Sequence, residues 1–538
     1  RNLRVLNENL LSYKLSLKEA HNFDVLFGLS YQADRYNYNQ SVGKGGASDK
    51  IEYIVDPNLH VKYINGEPIY LKNASTNFTE KIMVSYFGRL AYNYKYRYLL
   101  EATCRRDGCS SFGTNVRWCT FPSVAVGWSF SEESFFDWAS WLDLGKIRVS
   151  WGRSGKEFSE PYLAHGLMVP GSLFLGSQVM QANPEGGMIN RNLTWEESDQ
   201  YDIGLDLDMF NYRLKLKLDY YYKLTKGLLY HVDLPGDYNF HTMQWQNAMK
   251  VSNEGLELEA EVDIFRESAV SWRMKFNISR NWNLFRKSHT GKDVDNYVIG
   301  RSLNGIWVFQ DEGFYDNKEE VPYHYDMDGF QKLLNGGGNM TSLYNTGMRR
   351  IEDINKDGKI DAQDLVYKGS ALPLAYGGWV NEVKWKGFDV NILFAYSLGR
   401  KIYRTYNHTS LGGEQGLPLY EDLSNVAFWE KEGDVADYER PAMYHAACQQ
   451  FSGAFASNLE NVNYIKLKQL TIGYSVPQAW LKKIRLSGVR VFFTGENLFT
   501  LTNYSGTDPE VVSIYDGKDN FSSYPIARKM SLGLTVNF

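Results

Sequence analysis

From Tyr201 to Met209 every odd position is apolar and every even one is Asp or Gly. After a turn at Phe210-Asn211, Leu214, Leu216, Leu218, Tyr220 and Tyr222 alternate with Arg213, Lys215, Lys217 and Asp219. The next hairpin sets Leu256, Leu258, Ala260, Val262 and Ile264 against Glu257, Glu259, Glu261 and Asp263. It continues with Trp272, Met274, Phe276 and Ile278 against Arg273, Lys275 and Asn277. Successive side chains of a strand point to opposite faces, so each segment has one oily face and one charged face. No stretch reaches the roughly 18 apolar residues of a spanning helix, whereas a spanning strand needs only about 9–11. Aromatics are 15% of the chain, with 38 Tyr, 29 Phe and 14 Trp. That surplus suits a surface with an oily and a wet side.

A soluble sandwich also alternates, but two features favour a transmembrane antiparallel β-barrel, all-β in class. The strands are long, against about 5–6 residues in ordinary sheets. The connections also alternate in length. Short turns fall near Phe210-Asn211, Arg266-Glu267-Ser268, Lys386-Gly387 and Lys483-Ile484-Arg485. Long polar stretches fall near 155–198, 225–253, 283–375, 400–461 and 502–525. Short turns on one side and long loops on the other are the pattern of outer-membrane barrels, loops outside. Near the C-terminus, Met530, Leu532, Leu534, Val536 and Phe538 alternate with Ser531, Gly533, Thr535 and Asn537. An ending on Leu534, Val536 and a terminal Phe538 resembles the signal read by the outer-membrane insertion machinery.

If Phe538 ends in the periplasm, descending strands are expected near 8–18, 82–92, 118–130, 199–209, 254–264, 376–385, 462–474 and 526–538. Ascending ones are expected near 22–32, 97–105, 145–153, 212–224, 270–282, 388–398 and 489–501. The tally is about fifteen, an odd number beginning downward, while single-chain bacterial barrels have an even count. The expectation is therefore that residues 1–538 are the C-terminal portion of a larger barrel, with the first strands ahead of them.

Arg105-Arg106-Asp107-Gly108-Cys109-Ser110-Ser111-Phe112-Gly113, then Trp118, Phe121-Pro122-Ser123 and Gly127-Trp128, resembles the RxDGSSRFG…W…FPS…GW signature of the SusC/RagA group of TonB-dependent transporters. Other matching stretches follow in order: Asn192-Leu193-Thr194-Trp195-Glu196, Asp202-Ile203-Gly204-Leu205-Asp206 and Asn253-Glu254-Gly255-Leu256-Glu257. Near the end come Glu496-Asn497-Leu498-Phe499-Thr500, Asn503-Tyr504-Ser505-Gly506, Asp508-Pro509-Glu510 and Tyr524-Pro525. Cys109 and Ser111 depart from the group's usual Ser and Arg. The resemblance implies a plugged barrel of the 22-stranded type, with the plug and TonB box ahead of this stretch. It further implies active import of an oligosaccharide or peptide, a SusD-like lipoprotein capping the barrel outside, and the TonB complex pulling on the plug. A dimer of the transporter–lipoprotein pair belongs to the same expectation. The alternative is a passive porin, against which the odd strand count speaks. An adhesion or structural barrel would need large folded loop domains, which the sequence does not announce.

Asp353, Asn355, Asp357, Lys359, Asp361 and Asp364 occupy positions 1, 3, 5, 7, 9 and 12 of a Ca²⁺-loop pattern, with Gly358 at the sixth. Such a loop takes oxygen ligands at 1, 3 and 5, a backbone carbonyl at 7 and a carboxylate at 12. The bland alternative is a solvated turn rich in Asp and Asn. Trp245, Trp307 and Tyr315 are candidates for stacking on substrate rings, with girdle anchors or loop cores as the structural alternative. Cys104, Cys109 and Cys119 lie together and Cys448 far away. A Cys104–Cys119 or Cys104–Cys109 disulfide is open outside the cytoplasm, beside the plainer reading of free thiols.

HExxH, GxSxG, P-loop and strand–helix GxGxxG patterns are missing from the sequence. Adjacent acids such as Glu132-Glu133 and Glu196-Glu197 face opposite ways on an extended chain. The chain is therefore not expected to be an enzyme. A net charge of −5, with both signs spread along the chain, excludes a clustered basic surface for nucleic acid.

Overall fold

The computed structural model describes residues 2–41, 61–64, 67–70, 74–158, 162–165, 168–169, 183–184, 188–235, 243–266, 268–294, 297–321, 323–325, 331–333, 346–356, 360, 362–404, 427–436, 455–481, 486–519 and 523–538. Fifteen long strands follow one another: β1 (Asn2–Leu17), β2 (His21–Ser41), β3 (Ala74–Tyr94), β4 (Tyr98–Cys109), β5 (Trp118–Ser129), β6 (Leu142–Lys156), β7 (Glu196–Met209) and β8 (Leu214–Asp233). They continue with β9 (Met243–Phe265), β10 (Val270–Lys287), β11 (Ala375–Trp385), β12 (Phe388–Arg404), β13 (Leu459–Ser475), β14 (Gly488–Thr502) and β15 (Lys529–Asn537). Each pairs antiparallel with the next in sequence order, and the short strand Lys518–Asp519 adds to β12 as a parallel edge. Every expected strand overlaps one of these. The last begins at Lys529 rather than Ile526, because pairing with β14 starts at Glu496↔Lys529.

The pairing places the two faces as the alternation requires. Ile203, Leu205 and Leu207 lie on one side of β7, in register with Tyr220, Leu218 and Leu216 of β8. Asp202, Gly204 and Asp206 lie on the other. Along the oily side large residues stand exposed: Leu11 is 70% accessible and Leu532 80%. Among the described residues no second sheet covers this face. Such apolar rows in water would be a strong aggregation surface, and lipid is the medium that removes the cost. Among the described residues, no helix is long and apolar enough to cross a membrane.

Compact apolar cores exist at the loop end of the sheet. One joins Phe112, Phe121, Phe158, Leu193 and Trp195; another joins Phe309, Tyr315, Val321, Met348, Ile351, Ile360 and Phe455. Within the 283–375 stretch, read from sequence as polar loop, the described residues include paired strands and a packed core. Gly305–Phe309 pairs with Leu365–Ser370, and Asp311–Phe314 pairs with Arg349–Ile351. Its apolar residues show no period, so alternation could not reveal them.

The stretch 225–253 is also corrected. Most of it is strand, with pairing continued through His231↔Trp245 to Asp233↔Met243. Backbone hydrogen bonds extend a hairpin whether or not lipid lies beside it. Gly227, at φ +67°, absorbs a register shift between Lys226 and Leu228. The expected turns at Phe210-Asn211 and Lys386-Gly387 are present, with positive φ at all four residues. Glu267 and Lys483-Ile484-Arg485 lie outside the described residues.

Candidate functional site

Two regions carry polar chemistry: the charged face of the sheet and the folded loops above it. On the charged face, cations and carboxylates meet across neighbouring strands and across next-but-one strands. Arg89 of β3 pairs with Glu101 of β4 at 2.8 Å. Arg148 of β6 bridges Asp206 of β7 and Asp219 of β8, both at 2.8 Å. Arg273 of β10 holds Asp263 of β9 at 2.7 Å, and Arg490 of β14 holds Asp389 of β12 at 2.5 Å. A concavity of about 800 Å³ lies on this face, lined among others by Lys14, Asp24, Glu101, Lys146, Arg148 and Asp202. Because both signs are paired in place, the wall is wet and hydrogen-bonding without a strong field of one sign. It suits a polar lumen.

The motif stretch 105–113 builds the rim. Arg105 Nε donates to Asp107 at 2.7 Å and Nη2 donates to Ser85 Oγ at 2.7 Å. Phe112 is fully buried, 4.5 Å from the Trp195 ring and 4.8 Å edge-on to Phe158. Trp195 in turn packs on Phe121 at 5.4 Å and donates to the Arg117 carbonyl at 3.1 Å. Gly113 admits no side chain, since a Cβ there would fall 1.7 Å from the Arg191 carbonyl oxygen. Arg106 points away from this hub and lies over Trp118 at 5.7 Å. Cys109 and Ser111 are buried in the hub, at 1% and 0% exposure.

Cys104, Cys109 and Cys119 are free thiols. Cys104 pairs opposite Pro122 while Cys119 pairs opposite Asp107. The odd sequence offset puts Cys104 on the opposite face of β4 from Cys109, so neither Cys104 disulfide forms. Cys448 lies outside the described residues.

The 503–519 segment is tied to the top of β12 and β13 by buried cations. Arg400 donates to the carbonyls of Pro509 at 2.8 Å, Val512 at 2.6 Å and Ser513 at 2.8 Å. Lys466 meets Asp508 at 2.9 Å and Glu510 at 2.8 Å, and Lys468 meets Glu510 at 2.5 Å. A register shift between Leu467 and Gln469 turns this part of β13 to meet the segment. Burial pulls the Asp508 carboxyl upward, but the Lys466 hydrogen bond and the Glu510 and Ile526 N–H groups hold it below the usual range. Glu510 behaves likewise: burial raises it, and Lys466 and Lys468 bring it below normal. The motif Asp508-Pro509-Glu510 was visible in sequence, but its cations lie about forty residues away, and nothing local pointed to them.

Of the stacking candidates, Trp245 is corrected from a loop to strand β9. There it stacks on His231 at 4.6 Å and packs partly buried beside the Phe112 core. Tyr315 lies in a loop core, the structural alternative, at 4% exposure, its hydroxyl pushed up to about 12 mainly by burial. Trp307 lies half-buried on Gly305–Phe309, 5.2 Å from Tyr367. The three do not converge on one surface patch.

In the acidic loop, Asp353 Oδ1 accepts the Lys356 N–H at 2.7 Å. Asp364 is fully buried, and its Oδ1 accepts the Ile354 N–H at 2.9 Å. Asn355 is placed between them in the turn, while Asp357, Gly358, Lys359 and Asp361 lie outside the described residues. At the C-terminus, Leu534 and Phe538 are 65% and 94% exposed, with Leu534 and Val536 on the oily side of β15.

The family described as "TonB dependent receptor-like, beta-barrel" matches residues 2–498. TonB-dependent receptor P3 of Formosa agariphila is 29% identical over 99% of this chain and 52% of its own length. TonB-dependent receptor SusC of Bacteroides thetaiotaomicron is 27% identical over 87% of the chain and 45% of its own. The chain spans about half the length of the curated relatives it matches. Among solved structures, the RagAB peptide transporter superposes over the whole chain and 56% of its own, with TM-score 0.77 and 22% identity.

Proposed function

The chain belongs to the TonB-dependent receptor-like β-barrel family of the outer membrane, and from that premise we propose that it forms much of the wall of an energised importer for a large polar nutrient, an oligosaccharide or a peptide. The observation that carries this reading is the ion-paired wall running from β3 to β14 behind a lipid-facing row of Leu and Tyr. A solute dressed in hydroxyls or amides can exchange hydrogen bonds along such a wall, while an apolar one gains nothing there. The folded loops, with cores of their own, supply a stable upper surface on which a SusD-like lipoprotein would seat. The energy would come from the TonB complex acting on a plug.

Growth of a deletion strain on a panel of glycans and peptides tests the reading. We expect loss of growth on one polymer class, restored by the intact gene and again lost when TonB is removed. Growth that is restored without TonB would make the protein a passive porin, and a defect confined to iron chelates would overturn the nutrient assignment.

We also propose that the 353–364 loop takes Ca²⁺ on the extracellular side, where it would stiffen the rim. Supporting this, Asp364 at position 12 folds back on the start of the loop, as a closing ligand must. Terbium luminescence excited through nearby aromatics is expected to appear with the purified protein, to be quenched by Ca²⁺, and to vanish in Asp364→Ala. Identical luminescence in that variant would leave the loop as a metal-free turn.

A further inference from the structure

Two arginines stand on the lipid-facing side of the sheet, where a charge is costly unless something meets it. Arg106 shares its face of β4 with Tyr98, Leu100, Ala102 and Cys104, and Arg280 shares its face of β10 with Trp272, Met274, Phe276 and Ile278. Both are exposed. Each lies over an indole ring, Arg106 at 5.7 Å over Trp118 and Arg280 at 4.7 Å over Trp282. Among the described residues neither forms an ion pair. Glu254, next to Trp282 across the strands, is turned to the Tyr220 hydroxyl, which donates to it at 3.3 Å. Tyr86 stacks beside Trp118 at 5.9 Å, so the first arginine sits on an aromatic shelf.

The two positions match by count along their strands. Arg106 lies eight residues above Tyr98, and Arg280 eight above Trp272, each counted from an aromatic at the short-turn end of its strand. Eight residues at about 3.3 Å rise make about 26 Å of strand, or about 20 Å across a bilayer for a strand tilted by about 40°. That crosses most of an apolar band about 25 Å tall and brings both guanidinium groups to its outer edge. The opposite edge is furnished differently: there Lys95 lies over Tyr94 and Lys386 over Trp385, both in turns and both at 5.5 Å. Lysine is a point charge, whereas the flat guanidinium presents a two-pronged donor matched to phosphate and stays charged against an aromatic face.

We propose that Arg106 with Trp118, and Arg280 with Trp282, are two docking stations for the phosphate groups of the outer-leaflet glycolipid. The lipid's acyl chains would lie on the Leu, Val and Phe rows below, and its phosphorylated sugar head would rest on the indole and tyrosine rings. Cargo cannot be the ligand, because both arginines face away from the charged lumen wall. This rests on the outer-membrane setting of the family and not on which nutrient is carried, so it survives a wrong cargo and falls separately.

The test uses the full-length protein extracted from outer membranes and exchanged into detergent. Native mass spectrometry would follow binding of a phosphorylated glucosamine-disaccharide lipid, its phosphate-free counterpart and phosphatidylglycerol. We expect the phosphorylated glycolipid to bind the native protein at least about tenfold more tightly than Arg106→Gln/Arg280→Gln, the loss of a charge-assisted contact at each station. Arg106→Lys/Arg280→Lys should fall between them, and the phosphate-free lipid should bind all three alike. Heat-resistant migration on gels checks that each variant is folded. Equal binding of the phosphorylated glycolipid to native and Gln proteins overturns the proposal. So does phosphatidylglycerol binding as tightly, with the same dependence on the two arginines.

Discussion

Replacing Lys466 by Met is expected to release the 503–519 segment from the barrel top while leaving the strands in place. The ammonium group is 3% exposed and touches Asp508 at 2.9 Å and Glu510 at 2.8 Å. Removing one partner of a buried cluster leaves the others charged and desolvated, which typically costs about 3 kcal/mol. Because Arg400 still donates to three carbonyls of the same segment, the loss should show locally, as protease cleavage within 503–519. The triple variant Lys466→Met/Asp508→Asn/Glu510→Gln should regain most of the protection, since the one cation it leaves without its carboxylate, Lys468, is partly exposed and reaches water. If Lys466→Met resists protease as the native protein does, the ion cluster does not hold the segment.

Acid should open the same segment. The Asp508 and Glu510 carboxyls lie below their ordinary values in the folded protein. A group of that kind contributes stability that is present above the unfolded carboxylate pKa, about 4, and is lost as pH falls through the lower folded value. Protection is therefore expected to stay flat from neutrality to about pH 4 and then fall. In the triple variant, lacking both carboxylates, that acid step should disappear. A loss of protection centred near pH 6 to 7 would point to histidine and away from these acids.

The second large effect belongs to Phe112→Ala. The ring is wholly enclosed by Trp195, Phe158 and Phe121 with their neighbours. Emptying such a site costs about 3–5 kcal/mol from lost burial and the cavity left behind. The hub fixes the ends of β4, β5 and β7, so its loss should lower the urea midpoint of the folded barrel and expose 110–117 to protease. Phe112→Leu, which keeps most of the volume, should cost under about 1.5 kcal/mol. Equal midpoints for Ala and native protein would mean that the hub adds nothing to the wall.

The two predictions concern features with different visibility in sequence. Phe112 lies in a recognisable motif, and Gly113 two steps from Ser111 marks a close approach, yet the ring's partners Phe158 and Trp195 lie some 46 and 83 residues on. The Lys466 cluster is less legible still. Its strand alternation is broken by a bulge, so period-two reading gives the lysine no face. Trp245 was misplaced in a loop, and Tyr315 was left open between ligand contact and core, for a related reason: an aromatic in a non-periodic stretch looks the same whether it meets solvent, ligand or core.

What the sequence determined by itself is the wall. A strand's side chains alternate by covalent geometry, so the rows Ile203-Leu205-Leu207 and Asp202-Gly204-Asp206 had to part to opposite sides whatever else the chain did. With turns such as Lys386-Gly387 fixed by local backbone preference, strand order and direction followed. Tertiary structure alone decided the rim: which loops fold, which carboxylate meets which cation, and which aromatic is spent as core. Those contacts join residues tens to hundreds of positions apart, and their energy comes from burial and desolvation, which no local pattern of side chains encodes.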